Sequence, residues 1–264
     1  MSVDLIQKAV DGFASLGIPC TQEEISSWVG ECRVDEDCLS RMVSLLGAMG
    51  KEKDDRVFHT LIRLSRLPDK DPKTFDNFDF SRLHDDKVEE VKSLQTLAFM
   101  YNGRNIVFIG DPGTGKSHLA IAIGRECCAM HKKVYYTTLQ QLLAKLNKAR
   151  ETDQIERVVR YLSKPSLLII DEFGNYDYEA KDARLLFLVF NARYGVMGHS
   201  MVITTNELPS EWGTMFRDEP TMEKSMDRIF DDSIVIQLKG ESYRGRKKEV
   251  LKFSVSDMLM QKAK

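Results

Sequence analysis

The feature that most constrains this chain is a glycine-rich segment, residues 110–117, which reads Gly-Asp-Pro-Gly-Thr-Gly-Lys-Ser. The apolar run 106–109 before it suits a short buried strand, and the apolar stretch 118–123 after it suits a helix. Glycines let a strand-to-helix turn direct its N–H groups inward, and the helix adds its positive amino end. The sequence therefore predicts a loop that binds a polyphosphate.

Particular residues of this segment have expected tasks. Lys116 is placed to contact the β- and γ-phosphates of ATP, and the Ser117 hydroxyl is placed to coordinate Mg²⁺. The residues predicted to contact the nucleotide are Gly110, Asp111, Pro112, Gly113, Thr114, Gly115, Lys116, Ser117 and His118.

A second apolar run, 166–170, is too short for a typical helix and ends in two carboxylates, Asp171 and Glu172. Asp171 can hold Mg²⁺, and Glu172 can orient and deprotonate an attacking water. The alternative is a strand followed by a solvated acidic turn. Beside the glycine-rich loop, the catalytic interpretation is favoured.

Two further polar residues are candidates for the reaction. Asn206 follows the apolar run 200–205, where an amide could hydrogen-bond the γ-phosphate or the attacking water, although Asn is also a common helix cap. Arg228 could act on the γ-phosphate of a neighbouring subunit, or it could form a surface salt bridge with Asp231 or Asp232.

The alternation of apolar runs and helical stretches predicts an α/β fold with a parallel sheet of five strands and helices on both faces. The predicted strands are 105–109, 134–138, 166–170, 200–205 and 233–238.

The predicted organisation has four parts. We expect a helical interaction module at 1–67, a linker at 68–80, the ATPase domain at 81–252 and a tail at 253–264.

The first part of the chain has helical patterns and an acidic surface. Apolar residues recur at helical spacing from Leu5 to Phe13, and Thr21 with Glu24 forms a capping-box pattern. The acidic residues favour a protein partner over DNA, although a solvated acidic face is the commoner explanation. Two short helices joined at residues 17–19 also suggest a helix-turn-helix, which the acidic charge disfavours. Three aromatic residues follow the linker prolines, and we expect at least two of them to be hydrophobic anchors, the alternative being a wall for adenine. They are Phe75, Phe78 and Phe80.

Composition excludes some classes of function. The 264 residues carry a formal net charge of −2, so any contact with DNA must be a local patch. The five cysteines lack the paired spacing of a zinc site, and Cys127 and Cys128 fit a buried helix face. With no apolar run of eighteen residues and no signal peptide, the chain is expected to be cytoplasmic, without a membrane partner.

Two basic regions are candidates for contact with nucleic acid. Lys145 and Lys148 lie one turn apart on the polar side of a predicted helix, which could equally be an ordinary amphipathic helix. The second region, which we call the basic tail, lies just before the predicted tail at 253–264 and could contact phosphates or simply aid solubility; its residues are Arg244, Arg246, Lys247 and Lys248.

These motifs together resemble a known family. The segments that carry the resemblance are 56–68, 74–80, 110–120, 168–174, 203–206, 210–213, 226–228 and 238–244. They resemble the IstB-type ATP-binding proteins, helper ATPases of insertion-sequence transposons, and the core is also similar to the DnaC-type helicase loaders. Residues before 56 match no pattern of the family.

The resemblance implies an AAA+ ATPase core of the initiator clade with a small or absent lid. It implies Asn206 as the first sensor, Arg228 as an arginine finger acting in trans, and a channel-facing position for the helix that carries Lys145. The implied function is a DNA-stimulated ATPase that forms an ATP-dependent homo-oligomer on double-stranded DNA and regulates a transposase in target selection. A replicative-helicase loader and a nucleotide-switched adaptor with little turnover are the alternatives.

Overall fold

A computed structural model describes residues 3–83, 85–174 and 178–238 of the chain. Five parallel strands form one sheet in the order β2-β3-β4-β1-β5. The strands are β1 (Ile106–Gly110), β2 (Val134–Thr138), β3 (Leu167–Phe173), β4 (Ser200–Thr205) and β5 (Ile234–Leu238). The predicted α/β class and five-stranded parallel sheet are confirmed.

The predicted bounds of β2 and β4 match the structure, and those of β1 and β5 shift by one residue. β3 continues three residues beyond the predicted end, because a β-bulge between Ile170 and Phe173 keeps it paired with β4. The bulge places both acidic residues within the strand rather than after it.

Eleven α-helices accompany the sheet in the part of the chain that the structure describes. They are α1 (Val3–Ser15), α2 (Gln22–Glu31), α3 (Glu36–Ser65), α4 (Asp85–Ser93), α5 (Ala98–Tyr101), α6 (Lys116–Ala129), α7 (Leu139–Glu151), α8 (Ile155–Ser163), α9 (Ala180–Arg193), α10 (Trp212–Met215) and α11 (Pro220–Phe230). Among these described residues, no helix is both long enough and apolar enough to cross a lipid bilayer.

The sheet has a hydrophobic core on each face. On one face α6 packs with the end of α3 and with the segment that leads into β1. On the other face lie α7, α8, α9 and α11. Strands covered on both sides explain why the apolar runs in the sequence are continuous rather than alternating.

The amino-terminal helices form a smaller core of their own around Ala9, Ile25, Val29 and Leu39. The capping box of α2 is present as predicted, with the Thr21 side chain accepting from Glu24 N–H. The long helix α3 connects this amino-terminal core to the sheet domain. It runs unbroken for 30 residues, and its end buries Ile62 in the core beside α6. The predicted division at residue 67 remains a prediction.

Candidate nucleotide site

The glycine-rich loop connects β1 to α6, as the sequence predicted. Gly110 pairs with Leu238 of β5, and a Cβ atom at Gly110 would lie 2.0 Å from the Leu238 carbonyl oxygen. Gly113 and Gly115 have φ values of 86° and 100°, which side chains other than glycine rarely adopt. The glycines are therefore required by the turn and by the neighbouring strand.

The amino end of α6 faces the same loop. The first bond within the helix runs from the Leu119 N–H to the Gly115 carbonyl, so the N–H groups of Lys116, Ser117 and His118 precede it. Lys116 is 7% exposed, and its ammonium donates to the carbonyl oxygens of Gly110 at 2.6 Å and Asp111 at 2.8 Å. A buried cation and a helix amino end at one turn make a strongly anion-attracting site.

The second half of the predicted linker packs onto this loop. Phe75 and Phe78 are buried and Phe80 is partly buried, which confirms the predicted hydrophobic anchoring. A Cβ atom at Gly115 would lie 2.7 Å from the Phe78 ring, so the ring rests directly on the loop. The loop and the segment that leads to the helical module thus share one packed contact.

His118 joins the same contact. Its Nε2 donates to the Thr74 carbonyl at 2.8 Å, and its ring meets the Phe78 ring edge to face. Burial lowers the pKa of His118, so the ring is neutral near pH 7. The His118 side chain therefore contacts the predicted linker. A contact between His118 and a nucleotide would come from its main-chain N–H.

Asp171 is 4% exposed and accepts hydrogen bonds from three hydroxyl groups on three different elements. Ser117 Oγ of α6 donates to Oδ1 at 2.8 Å, and Thr204 Oγ1 of β4 donates to the same oxygen. Tyr136 of β2 donates to Oδ2 at 2.5 Å. The two predicted magnesium ligands, Ser117 and Asp171, are therefore adjacent.

Burial, reinforced by the neighbouring Asp171 carboxylate, raises the pKa of Tyr136 well above that of an ordinary phenol. The hydroxyl therefore keeps its proton and acts as the donor.

This donor set fits Mg²⁺, a hard cation that prefers oxygen ligands. The Ser117 hydroxyl donates its hydrogen bond to Asp171, which leaves the lone pairs of the serine oxygen for a cation. Within the described ranges no cluster of three or more His, Cys, Asp or Glu side chains could hold a metal ion. A pair of protein oxygens suits a Mg²⁺ ion that keeps waters and arrives with phosphates.

Glu172 lies at the bulge of β3 and has a left-handed backbone, with φ of 58°. Its N–H donates to Thr204 Oγ1 at 3.1 Å, so one threonine holds both acidic residues. Unlike its neighbours Asp171 and Phe173, Glu172 is exposed. A non-glycine residue held in this conformation is typical of functional sites, where it redirects a side chain.

Asn206 follows β4 directly and is exposed at the same carboxyl end of the sheet. The alternative helix-cap role does not match the local structure, because the next helical turn, Pro209–Glu211, has Leu208 at its N-cap position. The position remains consistent with a contact to phosphate or water.

Arg228 lies in the last turn of α11, on α9. Its guanidinium donates to Asn191 Oδ1 at 3.1 Å and to the Lys224 carbonyl at 3.0 Å, and it lies 4.6 Å from the centroid of the Phe187 ring. The two acidic residues of the salt-bridge alternative have other partners, Asp231 bonding Tyr194 and Asp232 pairing with Arg104. The guanidinium is thus held at a helix surface by neutral groups.

The two lysines proposed for nucleic acid differ. Lys145 donates to the Tyr135 hydroxyl at 3.0 Å and lies 4.4 Å from the Tyr161 ring centroid, whereas Lys148 is exposed. Lys148 is therefore the more available of the two. Arg244, Arg246, Lys247 and Lys248 lie outside the described residues.

Sequence reasoning missed Tyr136 and Thr204. The available signal was positional, since Tyr136 lies two residues before the end of β2 and Thr204 two before Asn206 on β4. Both side chains hydrogen-bond Asp171. Their proximity to Asp171 depends on the order of the strands in the sheet, which the sequence pattern does not give.

Comparison with known proteins decides the family. The model of the IstB-like ATP binding proteins matches residues 34–250. The chain belongs to this family. The match begins 22 residues before position 56, so the expectation that nothing before 56 fits the family pattern is wrong. It begins between α2 and α3, and so includes all of the long helix.

Relatives of this IstB-like protein are encoded by insertion sequences. It is 39% identical over 207 residues to the IS5376 putative ATP-binding protein of Geobacillus stearothermophilus, covering 78% of this chain and 80% of the relative. It is 34% identical over 196 residues to the IS21 putative ATP-binding protein of Pseudomonas aeruginosa, covering 74% and 72%.

Solved structures with a similar fold are replication proteins. The DnaC helicase loader aligns with a TM-score of 0.54 at 15% identity, covering 63% of this chain and 97% of the loader. AMPPCP-bound DnaA from Aquifex aeolicus aligns with a TM-score of 0.51 at 21% identity, covering 66% and 51%. These likenesses confirm that the IstB-like chain has the AAA+ fold.

Proposed function

We propose that this IstB-like protein is a Mg²⁺-dependent ATPase that assembles on double-stranded DNA and regulates a transposase in target selection. The observation that carries the proposal is the cluster at the carboxyl end of the sheet. There the loop, Ser117 and Asp171 are in direct contact, and Glu172 is exposed beside them. Ligands of parallel α/β sheets bind at this end.

The residues divide the work of hydrolysis. Lys116 and the loop N–H groups bind the β- and γ-phosphates, while Ser117 and Asp171 would hold Mg²⁺, which supplies neutralising charge when bound. Glu172 orients a water and takes its proton as the water oxygen bonds to the γ-phosphorus and the bond to the β–γ bridging oxygen breaks. Asn206 donates from its amide to the γ-phosphate or orients the water.

Two variants test this division. Lys116→Ala should abolish ATP binding, because the lysine neutralises phosphate charge in the ground state. Glu172→Gln should bind ATP and stall hydrolysis, because the glutamate acts only on the attacking water. Fluorescent-nucleotide titration and phosphate release measure the two effects separately. Equal loss of nucleotide affinity in both variants would contradict the assigned roles.

The DNA proposal rests on phosphate contacts by Lys148 and the basic tail. Binding to duplex DNA should then be weakly sequence-dependent, stronger with ATP, and steeply weaker as salt rises. Lys148→Ala should lower the steepness of the plot of log affinity against log salt by about 1, the value for one lost phosphate contact. Replacing Arg244, Arg246, Lys247 and Lys248 together tests the tail. A slope that neither change alters would remove both regions from the DNA surface.

The insertion-sequence relatives support a transposase as the partner. Those relatives are 34–39% identical over most of the chain, whereas the helicase loader shares the fold at 15% identity. A pull-down of this chain with a transposase encoded beside its gene, with and without ATP, tests the assignment. Binding to a replicative helicase instead would favour the loader alternative, and ATP binding without turnover would favour the adaptor.

A further inference from the structure

Tyr136 makes a contact with the candidate magnesium site that the proposed reaction does not use. The Oδ1 atom of Asp171 accepts from Ser117 and Thr204, whereas the Oδ2 atom accepts from Tyr136 at 2.5 Å. The carboxylate is 4% exposed, so bulk water offers little replacement for a lost donor. Each hydroxyl comes from a different element, and together they fix both oxygens.

We propose that Tyr136 is a positioning residue for Mg²⁺-dependent nucleotide binding: its hydroxyl fixes the orientation in which Asp171 supports Ser117 at the cation. This inference rests on the proposed function, because it assigns a task within the same site. Hydrogen-bonded partners of metal-binding carboxylates set ligand orientation, and losing one typically costs 10–100-fold in metal affinity or activity.

The backbone explains why Tyr136 can do this. Tyr136 pairs with Ile169 in the register of β2 with β3, two residues before the pair Thr138–Asp171. Its half-buried ring packs against the core on the α6 side, the same side on which Ser117 reaches Asp171. The packed ring holds the hydroxyl in place. Phenylalanine would keep this packing and remove only the donor.

The neighbouring tyrosine supplies a matched control. Tyr135 lies on the opposite face of the same strand and is buried, and its hydroxyl accepts from Lys145. Tyr135→Phe removes one hydroxyl from β2 as Tyr136→Phe does, without touching Asp171. A general effect of losing a strand hydroxyl would therefore appear in both variants.

The experiment measures affinity for a fluorescent ATP analogue in EDTA and across a Mg²⁺ titration, in the full chain without DNA. For Tyr136→Phe we expect the affinity in EDTA and the midpoint of thermal unfolding to match those of the wild type. The gain in affinity that Mg²⁺ produces should fall about 10–100-fold. Tyr135→Phe should keep the full gain.

A double-mutant cycle locates the effect. Asp171→Asn removes the charged acceptor, so adding Tyr136→Phe to it should cause no further loss of the Mg²⁺-dependent gain. An unchanged Mg²⁺ response in the single variant would overturn the proposal. Equal loss of affinity in EDTA and Mg²⁺, or equal losses with and without Asp171→Asn, would also overturn it, because each indicates a packing role.

Failure of the proposed function gives a different pattern. If the wild type and Tyr135→Phe bind no nucleotide, the ATPase proposal is overturned and this inference with it. If they bind nucleotide with a Mg²⁺ response that Tyr136→Phe shares fully, only the role of Tyr136 is refuted.

Discussion

Arg228 offers the sharpest test of how the site is completed. The main chain beside it is fixed to the amino end of β1, because Asn105 Nδ2 donates to the Ile229 carbonyl at 3.0 Å. The loop begins at the other end of that strand. Five residue steps at ~3.3 Å separate Asn105 from Gly110 by about 16 Å, which exceeds the length of any side chain. The main chain beside Arg228 therefore lies at the opposite end of β1 from the loop, and we expect its guanidinium not to reach its own subunit's phosphates.

We expect Arg228→Ala to bind ATP nearly normally, since Lys116 and the loop are intact, and to lose turnover by about 10³-fold or more. A factor of 10³ is about 4 kcal/mol of transition-state stabilisation. The variant also loses one hydrogen bond to Asn191 and the stacking on Phe187. That loss costs about 1 kcal/mol of folding stability, or about 2–4 °C in Tm.

Mixing two inactive variants tests action in trans. A Lys116→Ala subunit has a defective loop and an intact arginine, and an Arg228→Ala subunit has the reverse. In a random equal mixture, about one directed interface in four joins a good site to a good arginine. Phosphate release should recover to roughly that fraction of the wild-type rate.

Arg104→Ala, which removes a partly exposed arginine paired with Asp232, is the control and should keep turnover. If the mixture stays inactive while the two variants co-assemble, Arg228 is structural and the reasoning fails.

Two further predictions concern the fold of the site. Gly110→Ala should lower Tm by several degrees and abolish ATP binding, because its Cβ would lie 2.0 Å from the Leu238 carbonyl; Gly47→Ala, where nothing lies within 4 Å, should be neutral or stabilising in a thermal melt. Burial raises the pKa of Cys127 and of Cys128 to about 12, so native protein treated with maleimide at pH 7.5 should be labelled at the exposed Cys32 and Cys38 and not at this pair. Mass spectrometry that finds Cys127 or Cys128 modified before unfolding would contradict the buried position of α6.

The sequence predicted those parts of the fold that local pattern controls. Continuous apolar runs mark β1, β3 and β4, because strands covered on both faces need no polar side, whereas the edge strand β5 alternates between buried and exposed residues. The length of α3 was not predicted, since its middle, 47–56, is mostly exposed and polar and shows no apolar stripe. That helix is held at its two ends, by one core near Leu39 and another near Ile62.

The site was predictable where one segment carries it. The loop and the adjacent pair Asp171 and Glu172 follow from spacing alone, but the bulge that separates their environments depends on pairing with β4. Trp212 shows the same limit. Within the family string at 210–213 it is fully buried against Phe173 and Phe230, a role that spacing does not reveal.

The positions of these groups restrict how subunits can assemble if Arg228 acts in trans. Ser117, Asp171 and Glu172 lie at the carboxyl end of the sheet, while the main chain at Arg228 lies at the amino end of β1. One subunit therefore presents a site at one end and an arginine at the other. An antiparallel pair about a two-fold axis would complete two sites and stop at a dimer. A head-to-tail contact repeats from one subunit to the next, and yields a closed ring if the rotation between subunits closes and a helical filament if it does not. In each of these assemblies an active site is complete only when a neighbouring subunit supplies its arginine. Turnover per subunit should therefore rise with protein concentration and with DNA long enough to hold several subunits. A rate per subunit independent of both would show that each chain completes its own site.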